Sequence, residues 1–222
     1  MVTRPTKSER LFRRLCTLRG VDCQRIPTTL SKTADYLVSL PNLSLIAEVK
    51  QLESNDRDRR LRVLWGTRNS PPVISPWRRI QSLLDKGYPQ IKSSSQSERP
   101  AVIVVYNNSG PWNWIDTFTV SSAMFGQYGV VVGLNDSREL QEVRRGYLGD
   151  SRTTTTSFRA LSAVCVLSDK RDLPLRLDVY HNPYATIRIV PAWLTGLADS
   201  QYLHGDPHAQ GFTHWAPTRL KV

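Results

Sequence analysis

Apolar residues recur at helical spacing near the start of the chain, where Leu11, Phe12, Leu15 and Leu18 line one face of a helix predicted over 6–19. Thr6 with Glu9 three residues later is a capping-box pattern for its start, and Gly20 supplies a stop. Residues 21–27 (VDCQRIP) read as a short strand or a turn. The period then shortens. ADYLVSL (34–40) and LSLIAEVKQL (43–52) are strand-like runs joined by Pro41-Asn42, which predicts an antiparallel hairpin. From 52 to 76 the chain is polar, rich in arginine and broken by Pro71, Pro72 and Pro76. This segment reads as a long loop or flap, with a short strand near Leu61–Leu64. Helical spacing returns over 77–92 through Ile80, Leu83, Leu84 and Ile91, and Gly87 and Pro89 leave room for a kink or an early stop.

Farther on, AVIVVYN (101–107) is a continuous apolar run of the kind found in buried strands. VSSAMFGQYG (120–129) reads as a helix and VVVGL (130–134) as a short strand, while the polar stretch 135–160, with its TTTT run, reads as a loop. ALSAVCVLS (160–168) is a further buried strand, and LRLDVYHNPYA (175–185) a strand running into a turn at Asn182-Pro183. The tail after Pro191 has no period. The order helix, hairpin, helix, strands predicts a single mixed α/β domain, 1–222, with helices covering a central sheet.

Length and composition narrow this little: 222 residues give room for one substantial core, and 40% hydrophobic with 22% charged residues is ordinary for a soluble protein. No run approaches the roughly 20 apolar residues that span a bilayer, and the opening MVTRPTKSERLFRR lacks the apolar centre of a secretory signal. Cys16, Cys23 and Cys165 form no CxxC pair, which argues against a disulfide framework or a zinc ribbon. The expectation is a reduced, cytoplasmic protein with no membrane partner.

Charge changes the picture more. Of the net +11, residues 1–25 hold +5 and residues 52–79 hold +4, so most of the excess flanks one short segment containing two carboxylates. Basic surfaces attract polyanions by counterion release and long-range steering, although a solvated basic face that only aids solubility has the same composition.

That segment carries the candidate chemistry. Asp35 opens the first strand of the hairpin and Glu48 lies on the second, within Glu48-Val49-Lys50. Side chains alternate along a strand, so Glu48 and Lys50 share a face and the hairpin brings Asp35 beside Glu48. Two adjacent carboxylates repel unless a cation joins them. Mg²⁺ suits them, because it prefers oxygen ligands and keeps waters for substrate, and the Val49 carbonyl offers a third oxygen. Lys50 then stands where it can orient a water or offset charge on a phosphate.

Thr33-Ala34-Asp35-Tyr36 followed by Ala47-Glu48-Val49-Lys50-Gln51 resembles the signature of the PD-(D/E)xK nuclease superfamily, whose members have the restriction-endonuclease-like fold. Ala34 stands where many members have proline. The resemblance implies a core of helix, three-stranded meander, helix and strand over about residues 6–107, with 108–222 as additional strands, loops and tail. It implies Asp35 and Glu48 as ligands of Mg²⁺ (or Mn²⁺), Lys50 as the catalytic lysine, and Glu9 and Gln51 as accessory residues of the site. The implied function is metal-dependent hydrolysis of phosphodiester bonds, with DNA as the expected substrate and a homodimer as one expected assembly. The alternative is a non-catalytic nucleic-acid-binding module on the same fold.

Other residues carry two readings each. Glu9 is explained equally by its capping box. Arg57, Arg59, Arg60, Arg62, Arg78 and Arg79 are candidates for contacts to nucleic acid, or solvated charges on a loop and a helix start. Trp65 and Trp77 are candidates for base stacking, although tryptophans more often serve the core. His204, Asp206, His208 and His214 resemble a metal cluster, but Gly205 and Pro207 disfavour a helix that would align the histidines.

Overall fold

Helix α1 (Lys7–Leu18) begins as its sequence predicts: the Thr6 hydroxyl accepts from the Glu9 N–H, and the Glu9 carboxylate accepts from the Thr6 N–H at 2.6 Å. The structure is a computed structural model describing residues 4–27, 33–65, 75–94, 99–110, 113, 115–149, 151–169, 174–207 and 215–217. Beyond α1, strand β1 (Asp22–Arg25) pairs antiparallel with β2 (Tyr36–Leu40), and β2 pairs antiparallel with β3 (Leu43–Leu52) around the Pro41-Asn42 turn.

The segment after β3 departs from expectation. Instead of a loop with a strand near Leu61–Leu64, residues 56–65 form helix α2 (Asp56–Trp65). Its start is fixed by a reciprocal cap, in which Asn55 Oδ1 accepts from the Asp58 N–H and Asp58 Oδ2 accepts from the Asn55 N–H, both at 3.0 Å. Arginine, leucine and tryptophan all tolerate a helix, and Leu61 is buried on its inner side. Helix α3 (Trp77–Ser94) runs unbroken through Gly87 and Pro89 and buries Ile80, Leu84 and Ile91. It returns the chain to β4 (Ala101–Asn107), which lies parallel to β3 with Glu48 opposite Ile103.

Helix α4 (Thr117–Phe125) is capped by Asp116, whose Oδ1 accepts from the Thr119 N–H at 2.8 Å. The polar stretch expected as a loop over 135–160 holds a second strand instead. β5 (Gln127–Leu134) and β6 (Leu140–Leu148) form a hairpin of their own. Asn135 closes its turn: Oδ1 accepts from the Glu139 N–H at 2.8 Å, and Arg138 takes φ 60°, which a tight turn demands. Strands β7 (Leu161–Ser168), β8 (Arg176–His181), β9 (Ser200–His204) and β10 (Trp215–Pro217) complete the element order, with a 3-10 turn at Pro191–Leu194.

Among the described residues the main sheet has the order β1-β2-β3-β4-β7-β8-β9-β10 and mixes parallel with antiparallel pairs. The protein is thus α/β, a large mixed sheet flanked by helices. One face packs Leu45, Ala47 and Val49 against Phe12 and Leu15 of α1; the other packs Ile46 and Ile103 against α3 and α4. Among the described residues no helix is long and apolar enough to cross a membrane.

Candidate active site

Strand alternation decides which candidates meet. Tyr36 and Val38 of β2 and Ala47 and Val49 of β3 belong to the α1 face, so Asp35, Glu48 and Lys50 point to the α3 face. One step past the Tyr36–Ala47 pair, Asp35 stands opposite Glu48. Its Oδ2 accepts from the Val49 N–H at 2.8 Å, which fixes the carboxyl against the edge of β3. Within a strand the N–H and C=O of one residue leave on the same side, so the Val49 carbonyl is directed toward the same edge.

Glu48 is 1% exposed. Its Oε1 accepts a hydrogen bond from the Lys50 ammonium, and its Oε2 is buried with no hydrogen-bond partner. An unsatisfied buried carboxylate oxygen is costly and calls for an explanation. Burial, reinforced by the negative charge of Asp35, pushes the Glu48 carboxyl up to about 7 against the pull of Lys50. Burial also raises Asp35, partly offset by the Val49 N–H. The pair therefore sits where a proton or a cation is needed to relieve it.

Two residues with no sequence signal complete the arrangement. Lys50 donates to Gln90 Oε1 of α3 at 2.8 Å, so the ammonium is suspended between Glu48 and Gln90. Gly87, one turn earlier on α3, packs against Ile103 and Glu48, where an added methyl would come within 3.1 Å of Ile103 Cδ1. In the sequence Gly87 reads only as a helix disturbance and Gln90 as a surface polar residue.

The accessory candidates lie on the other side of the sheet. Glu9 is buried with its Oε2 accepting from the Thr6 N–H and from the Thr6 hydroxyl at 2.7 Å, and its Oε1 3.4 Å from Arg25. Its contact with Asp35 is electrostatic, through a negative charge that helps raise the Asp35 carboxyl. Gln51 points toward α1, where its Oε1 accepts from the Ser8 N–H at 2.9 Å and satisfies one of the helix's free donors. Its amide also donates to Glu53.

The arginines divide. Arg57 and Arg60 are exposed on α2, and Arg59 pairs with Asp56 beside it. Arg62 lies on α2 with its side chain outside the described residues. Arg78 lies over the Trp77 ring, 5.1 Å from its centroid. Arg79 is taken up by structure, donating to Asp58 Oδ2 at 2.9 Å and to the Glu53 carbonyl. Asp58 is almost fully buried; burial would raise it, but hydrogen bonds from Asn113, Asn55 and Arg79 hold it below the usual carboxylate range.

Trp77 is half-buried against the α3-side core, and the Trp65 side chain is outside the described residues. His204 is buried against Phe125, with Nε2 3.2 Å from the Tyr147 hydroxyl. Asp206 accepts from Tyr184, while His208 and His214 are outside the described residues.

Among the described residues no group of three or more histidine, cysteine, aspartate or glutamate side chains is placed to hold a metal ion. The Asp35–Glu48 pair nevertheless fits a hard divalent cation by chemistry. It offers two carboxylates, one with an unpartnered oxygen, beside the Val49 carbonyl, and these are the hard oxygen donors that Mg²⁺ prefers. No family model matches the chain, and neither curated proteins nor solved structures give a match.

Proposed function

We propose that the chain is a metal-dependent nuclease of the PD-(D/E)xK type, on a restriction-endonuclease-like core, that hydrolyses phosphodiester bonds, with DNA as the expected substrate. The observation that supports this best is Glu48: a buried carboxylate with one unpartnered oxygen, facing Asp35 and bound by Lys50. Structure alone does not reward such a cluster, since removing charges from water costs several kcal/mol each unless they are fully compensated. A function that uses the charges accounts for it.

In this reading Asp35, Glu48 and the Val49 carbonyl would hold Mg²⁺ or Mn²⁺, and the bound ion would supply positive charge that polarises a phosphoryl oxygen. The Val49 N–H fixes one oxygen of Asp35 against β3. Lys50 offsets the charge of Glu48, and from the same place its ammonium can stabilise charge on the phosphate or orient the attacking water. Gln90 is a positioning residue that keeps the Lys50 side chain extended toward α3. The basic α1 segment supplies electrostatic attraction for the polyanion.

The test is a cleavage assay on linear duplex, circular duplex and single-stranded DNA and on RNA, in Mg²⁺, Mn²⁺ or EDTA. Cutting that needs a metal and disappears in Asp35→Asn is the expected result. Salt-sensitive binding with no cutting in either metal would favour the non-catalytic binding module.

A further inference from the structure

A cleft of about 350 Å³ opens between α2 and the beginning of α3. Arg57, Trp77 and Arg78 line it, with Asn55, Ser75 and Gln127 among the other walls. We infer that this cleft is a phosphate subsite for a nucleic-acid strand, with Arg57 and Arg78 as the groups that hold the phosphate. The inference rests on the reading of nucleic acid as substrate, and it separates these two arginines from the others on the same helices.

The charge balance of the lining carries the argument. Asp58 is the cleft's carboxylate, and Arg79 and Asn113 engage it at 2.9 and 2.8 Å. Arg57 and Arg78 have no carboxylate partner among the described residues, so two positive charges face one cleft uncompensated. Arg78 is already ordered by the indole of Trp77, so less side-chain freedom is lost when its N–H donors meet an anion. A tetrahedral phosphate oxyanion matches two guanidinium groups with amide and hydroxyl donors around them. An apolar ligand does not.

Position ties the cleft to the site. Trp77 lies ten residues before Gly87 on α3, about 15 Å at the helical rise, and Gly87 is the residue that abuts Glu48. A phosphate held there belongs to the same strand as the scissile bond, a few nucleotides away. The phosphate is either an internal one or the terminal one at a strand end.

The experiment is fluorescence anisotropy of 3′-labelled single-stranded DNA on the full chain, in EDTA and at fixed salt, with 5′-phosphate and 5′-hydroxyl versions. The variants are Arg57→Ala, Arg78→Ala and their combination, with Arg60→Ala as a control that removes the same charge from α2 outside the cleft. The expected result is at least tenfold weaker binding for the double variant and less than threefold for Arg60→Ala, with unchanged melting temperatures. A preference for the 5′-phosphate that vanishes in the double variant assigns the terminal phosphate, and equal binding of both oligonucleotides assigns an internal one. Losses in each single variant no greater than that of Arg60→Ala, or no binding by wild type, would overturn the subsite. EDTA removes catalysis from the readout, so a chain that binds through Arg57 and Arg78 but never cuts refutes the nuclease reading and leaves the subsite standing.

Discussion

Gly87 of α3 stands against Glu48 of β3 so closely that a methyl group at position 87 would lie 3.4 Å from the Glu48 Cγ and 3.1 Å from the Ile103 Cδ1. No side chain stands between the helix and the sheet at this point. Glu48 is sealed from water by that approach, and the same approach brings Gln90 within reach of Lys50.

Substitutions at Gly87 measure how tight the approach is. Gly87→Ala gains roughly 1 kcal/mol in helix propensity and spends it moving Ile103 by a few tenths of an ångström, so its urea stability stays within about 1 kcal/mol of wild type. Gly87→Val cannot be relieved this way and costs about 1–3 kcal/mol. A neutral Gly87→Val would show that α3 and β3 are farther apart than described.

Glu48 makes the stability of the protein sensitive to pH. Its folded value of about 7 lies above the ordinary 4.5, so the folded state binds the proton more tightly. The stability this group contributes is complete below about 4.5 and is lost as pH rises through 7, a change on the order of 3 kcal/mol. Urea midpoints at pH 5 and pH 8 should therefore differ less in Glu48→Gln than in wild type. Added Mg²⁺ should raise the melting temperature more at pH 8 than at pH 5, because it competes with the proton for the same oxygens. That increment should vanish in Glu48→Gln.

Glu9 and Thr6 test whether the capping box is a structural device or part of the site. Each Ala substitution should cost about 1 kcal/mol of stability. Nuclease activity should fall less than tenfold, because Glu9 touches Asp35 only through its charge. A hundredfold loss of activity in Glu9→Gln at unchanged stability would place Glu9 in the catalytic machinery.

Arg79 and Arg60 look alike in sequence and differ in structure. Arg79→Ala strands the buried Asp58 with only its other hydrogen bonds, which should cost about 2–3 kcal/mol in thermal or urea unfolding. Arg60→Ala, on the exposed side of α2, should change stability by less than about 0.5 kcal/mol.

The hairpin and its three charged residues were legible because strand alternation is strict: once ADYLVSL and LSLIAEVKQL are strands joined by a two-residue turn, the faces of Asp35, Glu48 and Lys50 follow. Helix α2 was not, because its polar surface hides the period, and among its described apolar side chains Leu61 is buried while Val63 and Leu64 are exposed. The local signal present was Asn55 with Asp58 three residues on, a cap that the high arginine content obscured. Strand β6 was missed for a related reason, since LQEVRRGYL has no clean alternation and takes its conformation from pairing with β5. Gln90 could not have been found at all. Its role exists only where α3 crosses β3, a tertiary fact that no local pattern encodes.

The measurement that bears most directly on the central claim is the single-turnover cleavage rate of Lys50→Ala beside wild type, in Mg²⁺ and in EDTA, on the best substrate of the cleavage panel. The Asp35–Glu48–Lys50 site predicts cutting by wild type only with metal and a loss of at least a hundredfold in the variant, with DNA affinity within a few-fold. Equal rates in the two proteins, or wild-type cutting that persists in EDTA, would contradict it.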